Sequence, residues 1–281
     1  MSEPATPTPV ADCHLHTQWS WDAEAGDMLA TCERALDAGL RVVAFTEHAD
    51  FNERDKHPRA VVDIPGYLQS IAECRQRFPT LEIQTGVELG QPHLYAVETA
   101  ALLAAAPGGV DRVLGSVHVA TIDGQLADVS DARHRVSAQA WPDVVRSSLS
   151  MTLDLVTGDA PFEILAHLDY AKRYWPHDEM RYDETMFTAE YRAVLTAAAR
   201  RGLVLEINST RGAPERRGLG PGLPVLRWWY ELGGAAVSFG SDSHDPTRVG
   251  LGLAAAAEVA AQAGFHPDGG DGVFWGRRRT S

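Results

Sequence analysis

Cysteine is scarce in this chain of 281 residues: Cys13, Cys32 and Cys74 define no spaced framework and leave one thiol over. Such usage fits a reducing cytosol and excludes a disulfide-stapled secreted domain. Long apolar runs are missing as well. No stretch reaches the roughly eighteen hydrophobic residues that cross a bilayer. Residues 1–9 carry neither a basic start nor an apolar core, so they read as a disordered tail and not as a signal peptide. Positive charge is short too, with 25 Lys and Arg against 38 Asp and Glu and a formal net charge of −13. Neutralising a nucleic-acid backbone takes a basic stripe, and the one basic cluster, Arg277-Arg278-Arg279, falls in what reads as a solvated C-terminal tail. A small phosphorylated ligand stays open, because a few arginines inside a pocket can hold one phosphate whatever the overall charge. Internal repeats and low-complexity linkers are also absent. The chain therefore reads as one domain over residues 10–265, between tails 1–9 and 266–281.

What is present is an alternation of short β-rich runs with helical segments. Strands are expected over 10–13, 42–46, 81–87, 112–117, 162–166, 203–207 and 236–240. Between and after them lie helices over 27–38, capped by Asp27 and closed by Gly39, over 67–77, after Pro92, and over 137–155. Further helices are expected over 186–201, closed by Gly202, over 225–232, and within 249–263. Strands alternating with helices imply a parallel sheet.

The strand ends carry the chemistry. Alternation puts residues i and i+2 on one face, so His14 and His16 converge while Cys13 and Leu15 face away. Asp242 and His244 converge likewise. Six of the seven strands end at metal-capable residues: His14/His16, His48, Glu88, His118, His167 and Asp242/His244. An open sheet would scatter these over about 30 Å, at ~4.8 Å per strand, whereas a parallel barrel gathers them at one rim. Imidazole and carboxylate without thiolate suit zinc, iron or manganese. Eight such groups exceed the needs of one ion, so a carboxylate must bridge, and Asp22 in the loop after the first strand is a ninth candidate. Two or three divalent ions at one rim point to hydrolysis, because they acidify a shared water and clamp both oxygens of a phosphoryl centre.

His14-Leu15-His16-Thr17, Thr46-Glu47-His48, Gly86-Val87-Glu88, Ser116-Val117-His118, the strand ending Ala166-His167, and Ser241-Asp242-Ser243-His244 resemble, in order, the motifs of the polymerase and histidinol phosphatase (PHP) superfamily. The resemblance runs from about residue 10 to 265. It implies an α/β fold, a distorted (β/α)7 TIM-like barrel, with a trinuclear site at its C-terminal face. It also implies that His14, His16, Glu88 and Asp242 hold a first metal, and that Glu88 bridges to a second held by His118 and His167. Asp22, His48 and His244 would hold a third; many relatives have histidine where Asp22 stands, and a carboxylate there favours harder ions.

Two longer stretches, His167-Leu168-Asp169-Tyr170-Ala171-Lys172-Arg173-Tyr174 and Glu206-Ile207-Asn208-Ser209-Thr210-Arg211, resemble the monofunctional histidinol-phosphate phosphatases within that superfamily. This implies Arg173 and Arg211 as a phosphate clamp, a role that suits the bidentate guanidinium. The implied activity is hydrolysis of L-histidinol phosphate to L-histidinol and phosphate, in histidine biosynthesis. A hydroxide bridging two metals would attack phosphorus, with Glu88 and Asp242 at the catalytic centre. A nucleotide or cyclic-nucleotide phosphoesterase is the alternative, favoured by an open pocket; a lid from residues 123–160 favours the small substrate. A metal-stabilised scaffold or a proofreading accessory is a third reading, against which the intact ligand set stands. The chain departs from the family pattern between Asp123 and Trp141 and at Gly90-Gln91-Pro92-His93. His93 reads as a pocket-lining or a helix-start residue, and His57, His134, His177 and His266 read as solvent groups.

Overall fold

Each apolar run handed on through a helix becomes one strand of a curled parallel sheet. The structure, a computed structural model, describes residues 11–53, 56–57, 59–176, 178–209, 218–267 and 272–277. The N-terminal tail, His177 and Arg211 lie outside the described residues. The first half contains β1 (Ala11–Leu15), α1 (Met28–Asp37), β2 (Val42–Ala49), α2 (Ile64–Arg77), β3 (Glu82–Gly90), α3 (Ala96–Ala104) and β4 (Arg112–Ser116). A hairpin, β5 (Val119–Ile122) and β6 (Gln125–Asp128), then leads into α4 (Val129–Arg135) and α5 (Trp141–Thr157). The second half contains β7 (Ile164–Leu165), α6 (Thr188–Arg201), β8 (Val204–Asn208), α7 (Leu223–Glu231), β9 (Ala236–Gly240), α8 (Leu253–Ala263), β10 (Phe265–Pro267) and β11 (Trp275–Arg277). Asp27 caps α1 by accepting from Ala30 N at 2.9 Å, and Gly202, at φ +74°, closes α6, both as expected.

Strands β1-β2-β3-β4-β7-β8-β9 pair in parallel in that order, which makes the distorted seven-stranded barrel. All eight residues of β2 are buried because one face looks into the barrel and the other onto helices. Among the described residues, the seam between β1 and β9 is hydrogen-bonded at the C-terminal rim. There Leu15 bridges Ser243, His16 N donates to Ser243 O (2.9 Å), and Asp242 N donates to His14 O (2.8 Å). The buried Asp12 carboxylate ties the same seam, accepting from Ser241 N at 2.9 Å and Gly250 N at 3.1 Å.

Two expectations need correction. Residues from 266 onward are not all tail: β11 pairs antiparallel with β9, Trp275 opposite Val237, and β10 pairs with β11. Val273 packs with Ala11, Cys13 and Val42, and Phe274 packs against the cluster that holds Leu114 and Ile164, as does Val204. The last three share the register of Glu88 and so face the barrel interior, which this C-terminal segment plugs from below. Burial of large apolar side chains is what fixes the segment in place. Second, the alternation in β1 is broken by a bulge between Asp12 and Leu15. Cys13 therefore does not simply face away; it sits beneath the rim in the same apolar cluster as Val273.

Candidate metal centre

Strand ends bring the predicted side chains together at one rim. The Nε2 atoms of His14 and His16 lie 3.0 Å apart, and each is close to Glu88 Oε2, at 3.3 and 3.4 Å. Asp242 Oδ1 lies 3.9 and 3.6 Å from the same two nitrogens. The other oxygen of Glu88, Oε1, meets His118 Nε2 at 3.2 Å and His167 Nε2 at 2.7 Å. One buried carboxylate thus stands between two pairs of imidazoles, one oxygen turned to each. A third group forms outside them: Asp22 lies 3.4 Å from His48 Nε2 and 2.9 Å from His244 Nε2. All nine predicted ligand candidates are therefore drawn into three adjoining groups.

Local structure sets these positions. Gly240 has no Cβ because one would come within 2.5 Å of His14 Cβ, so a glycine lets β9 pass the first histidine. Asp242 follows in the left-handed region at φ +54°, which turns its carboxylate onto the rim. Such a conformation in a non-glycine residue is sustained by the surrounding contacts, here the paired seam.

Side chains behind the rim define which ring nitrogen is available. His14 Nδ1 donates to Glu206 Oε1 at 2.6 Å. Ser20 Oγ gives its proton to Glu47 (2.6 Å), so at 3.0 Å it must accept from His16 Nδ1, which leaves His16 Nε2 a bare lone pair. His118 Nδ1 donates to Asp50 Oδ1 (3.1 Å), and His244 Nδ1 donates to the carbonyl of Asp242 (3.1 Å). Four imidazoles are thus oriented by their Nδ1 atoms with Nε2 turned to the centre, the arrangement by which oxygen acceptors fix metal-ligating histidines.

Positive charge is required there. Burial opposes ionisation of Glu88, yet His14, His118, His167 and His48 hold its carboxyl well below the usual carboxylate range. Burial also opposes charge on the rings, but Glu206, Glu88 and Asp242 raise His14 well above an ordinary histidine, whereas burial together with His48, His244 and His14 pushes His16 far below one. Glu88 Oε2 and His48 Nδ1 lie 3.1 Å apart, buried but out of line for a hydrogen bond, and five overlapping triads of ligand atoms lie within 4.8 Å of one another. These residues fit divalent cations, and the donor set, imidazole and carboxylate without thiolate, is one that binds transition metals.

Arg173 comes from the turn after His167. Its guanidinium donates to Asp242 Oδ2 and to Asn208 Oδ1 (3.1 Å) and stacks over Tyr170, beside the metal groups. It lines a cleft with Glu88, Trp21, Glu53, Asp128 and Tyr170. His93 is half-buried against Met151 and does not line that cleft. His134 is exposed, but His57, read as a solvent group, stacks on Trp21 at 4.2 Å, and His266 is half-buried in β10. Two positioning acids escaped the sequence reading, Glu206 and Asp50. Asp50 obeys the same i, i+2 rule as the histidine pair, two places after His48; Glu206 is a charge inside an apolar strand.

A parallel barrel with imidazoles and carboxylates at its rim is the architecture of the PHP domain family. The sequence matches that family over residues 12–210, and the chain belongs to it. It is 29% identical over 262 residues, 91% of each chain, to a Lactococcus lactis protein named histidinol-phosphatase. A Clostridium acetobutylicum protein named probable histidinol-phosphatase is 29% identical over 276 residues, 96% of this chain and 98% of that one. The crystal structure of histidinol phosphate phosphatase from Lactococcus lactis, complexed with zinc, L-histidinol and phosphate, matches with a TM-score of 0.71 at 26% identity, covering 91% of this chain and 94% of that one.

Proposed function

We propose that this protein is a metal-dependent phosphomonoesterase that hydrolyses L-histidinol phosphate to L-histidinol and phosphate, a step of histidine biosynthesis. The observation that carries the reading is Glu88, buried between two imidazole pairs, with Arg173 beside it in a small cleft. The similarity to a barrel that holds zinc, L-histidinol and phosphate supports the substrate.

His14, His16, Glu88 and Asp242 would hold one ion, Glu88, His118 and His167 a second, and Asp22, His48 and His244 a third, so that two to three zinc, manganese or iron ions are bound. Such ions acidify water and neutralise phosphate oxygens when bound. Arg173, pinned by Asn208 and Asp242, presents a planar fork to the phosphate. Arg211 is its proposed partner. Asp242 takes the proton of the attacking water and passes it to the departing alkoxide, as the new P–O bond forms and the ester P–O bond breaks. Three free, buried cysteines support a cytoplasmic setting, and no helix among the described residues is long and apolar enough to cross a membrane. Strand β6, the start of the segment expected as a lid, brings Asp128 to the lining of the cleft, which supports the small-substrate reading.

Turnover of the metal-loaded protein should favour histidinol phosphate over a panel of nucleotides and cyclic nucleotides. In Arg173→Met, KM for histidinol phosphate should rise about 10- to 100-fold, the loss of one charge-assisted contact. Equal turnover of nucleotides, or none of any ester, overturns the assignment.

A further inference from the structure

The phosphate end of the substrate is accounted for by the rim, but the cleft has a second wall that none of those roles uses. It carries two acids, Glu53 and Asp128, and an indole, Trp21. Glu53 is 8% exposed and held in place through a chain of contacts. Asn52 Nδ2 donates to Glu53 (3.0 Å), Gln91 Nε2 donates to Asn52 Oδ1 (3.0 Å), and Gln91 Oε1 accepts from His118 N (2.6 Å). Asp128 is registered to the same histidine, since it pairs with Val119 across the hairpin while Val129 N donates to His118 O. Trp21 is fixed by its Nε1, which donates to Asp50 Oδ2 at 3.1 Å, and His57 covers one of its faces. Both acids and the indole are thus positioned by groups that also position candidate metal ligands. The floor of the same cleft is formed by Glu88 and His48, which lie 3.1 Å apart and belong to the candidate metal centre.

The wall already shows what it accepts. The ammonium of Lys56, on a side chain 62% exposed, reaches Glu53 at 3.1 Å, and this hydrogen bond, with Asp131 and Asp128 nearby, favours its charged form. Arg173 and this wall line one cleft, so an ester whose phosphate sat beside Arg173 would share that cleft with the two acids. An alcohol bearing a protonated amine would there meet two carboxylates, displacing a flexible surface lysine from one of them.

We propose that Glu53 and Asp128 form the subsite that accepts the protonated amine of the leaving alcohol, with Trp21 as its apolar wall. This deepens the phosphatase reading and rests on it. The test uses the full chain loaded with metal and compares kcat/KM for histidinol phosphate with that for the same ester lacking the amine. The ratio of the two is insensitive to loss of folded protein. It should fall about 10- to 100-fold in the double variant Glu53→Gln, Asp128→Asn, the scale of a lost charge-assisted contact. A ratio unchanged from wild type overturns the subsite. A second pair, phosphoethanolamine and ethyl phosphate, is measured alongside. If the wild type hydrolyses these and not histidinol phosphate, the substrate reading falls, and the subsite stands or falls by whether this second ratio drops in the double variant.

Discussion

Glu206 shows how far one side chain behind the rim reaches. Its Oε1 accepts from His14 Nδ1 and its Oε2 accepts from His167 N at 2.6 Å, so one carboxylate steadies a candidate ligand in each imidazole pair. Glutamine has the same shape but only one acceptor, and its amide would face one N–H with another donor. In Glu206→Gln, metal affinity should drop about 10- to 100-fold while the fold persists, measured by competition with a chromophoric chelator. Unchanged affinity would remove Glu206 from the positioning set. At this scale the side chains at strand ends were legible in the sequence, because their i, i+2 spacing and position after apolar runs are local facts. Glu206 was not, since nothing within its own strand says which histidine lies opposite across the barrel.

At the scale of elements, the alternating strands and most helices were read correctly from periodicity and caps. The C-terminal strands were missed for a physical reason. Val273-Phe274-Trp275 is too short to show a period and follows a glycine- and aspartate-rich stretch, so only the open lower mouth of the barrel reveals its role. The hairpin β5–β6 was lost similarly, its strands being four residues each and the second lying in a stretch without clear pattern. Trp275 is 1% exposed and meets Phe239 of β9 edge-on, with ring centroids 4.9 Å apart. Trp275→Ala should lower unfolding stability by about 3–5 kcal/mol, read as a shift in the urea midpoint. A midpoint within error of wild type would mean that the plug contributes no packing.

Over the whole molecule, acidic side chains outnumber basic ones, and several of those acids are concentrated at one buried rim. Cations bound there stabilise the folded state by an amount that grows with the logarithm of their excess over the dissociation constant, about 2.7 kcal/mol at a hundredfold excess. Stripping metal with a chelator should therefore lower Tm by about 5–10 °C, and adding zinc or manganese back should restore it. An unchanged Tm would count against metal at the rim.

Asp12 and Ser241 stand 229 positions apart, yet they share a hydrogen bond at the seam where the first and seventh strands of the barrel meet. A chain emerging from the ribosome cannot make that join until most of its length has been synthesised. Until then His14 and His16 wait without Asp242 and His244. Ion capture is thereby deferred to the completed polypeptide, and a fragment ending before Ser241 would carry the first ligands with no chamber to set them in.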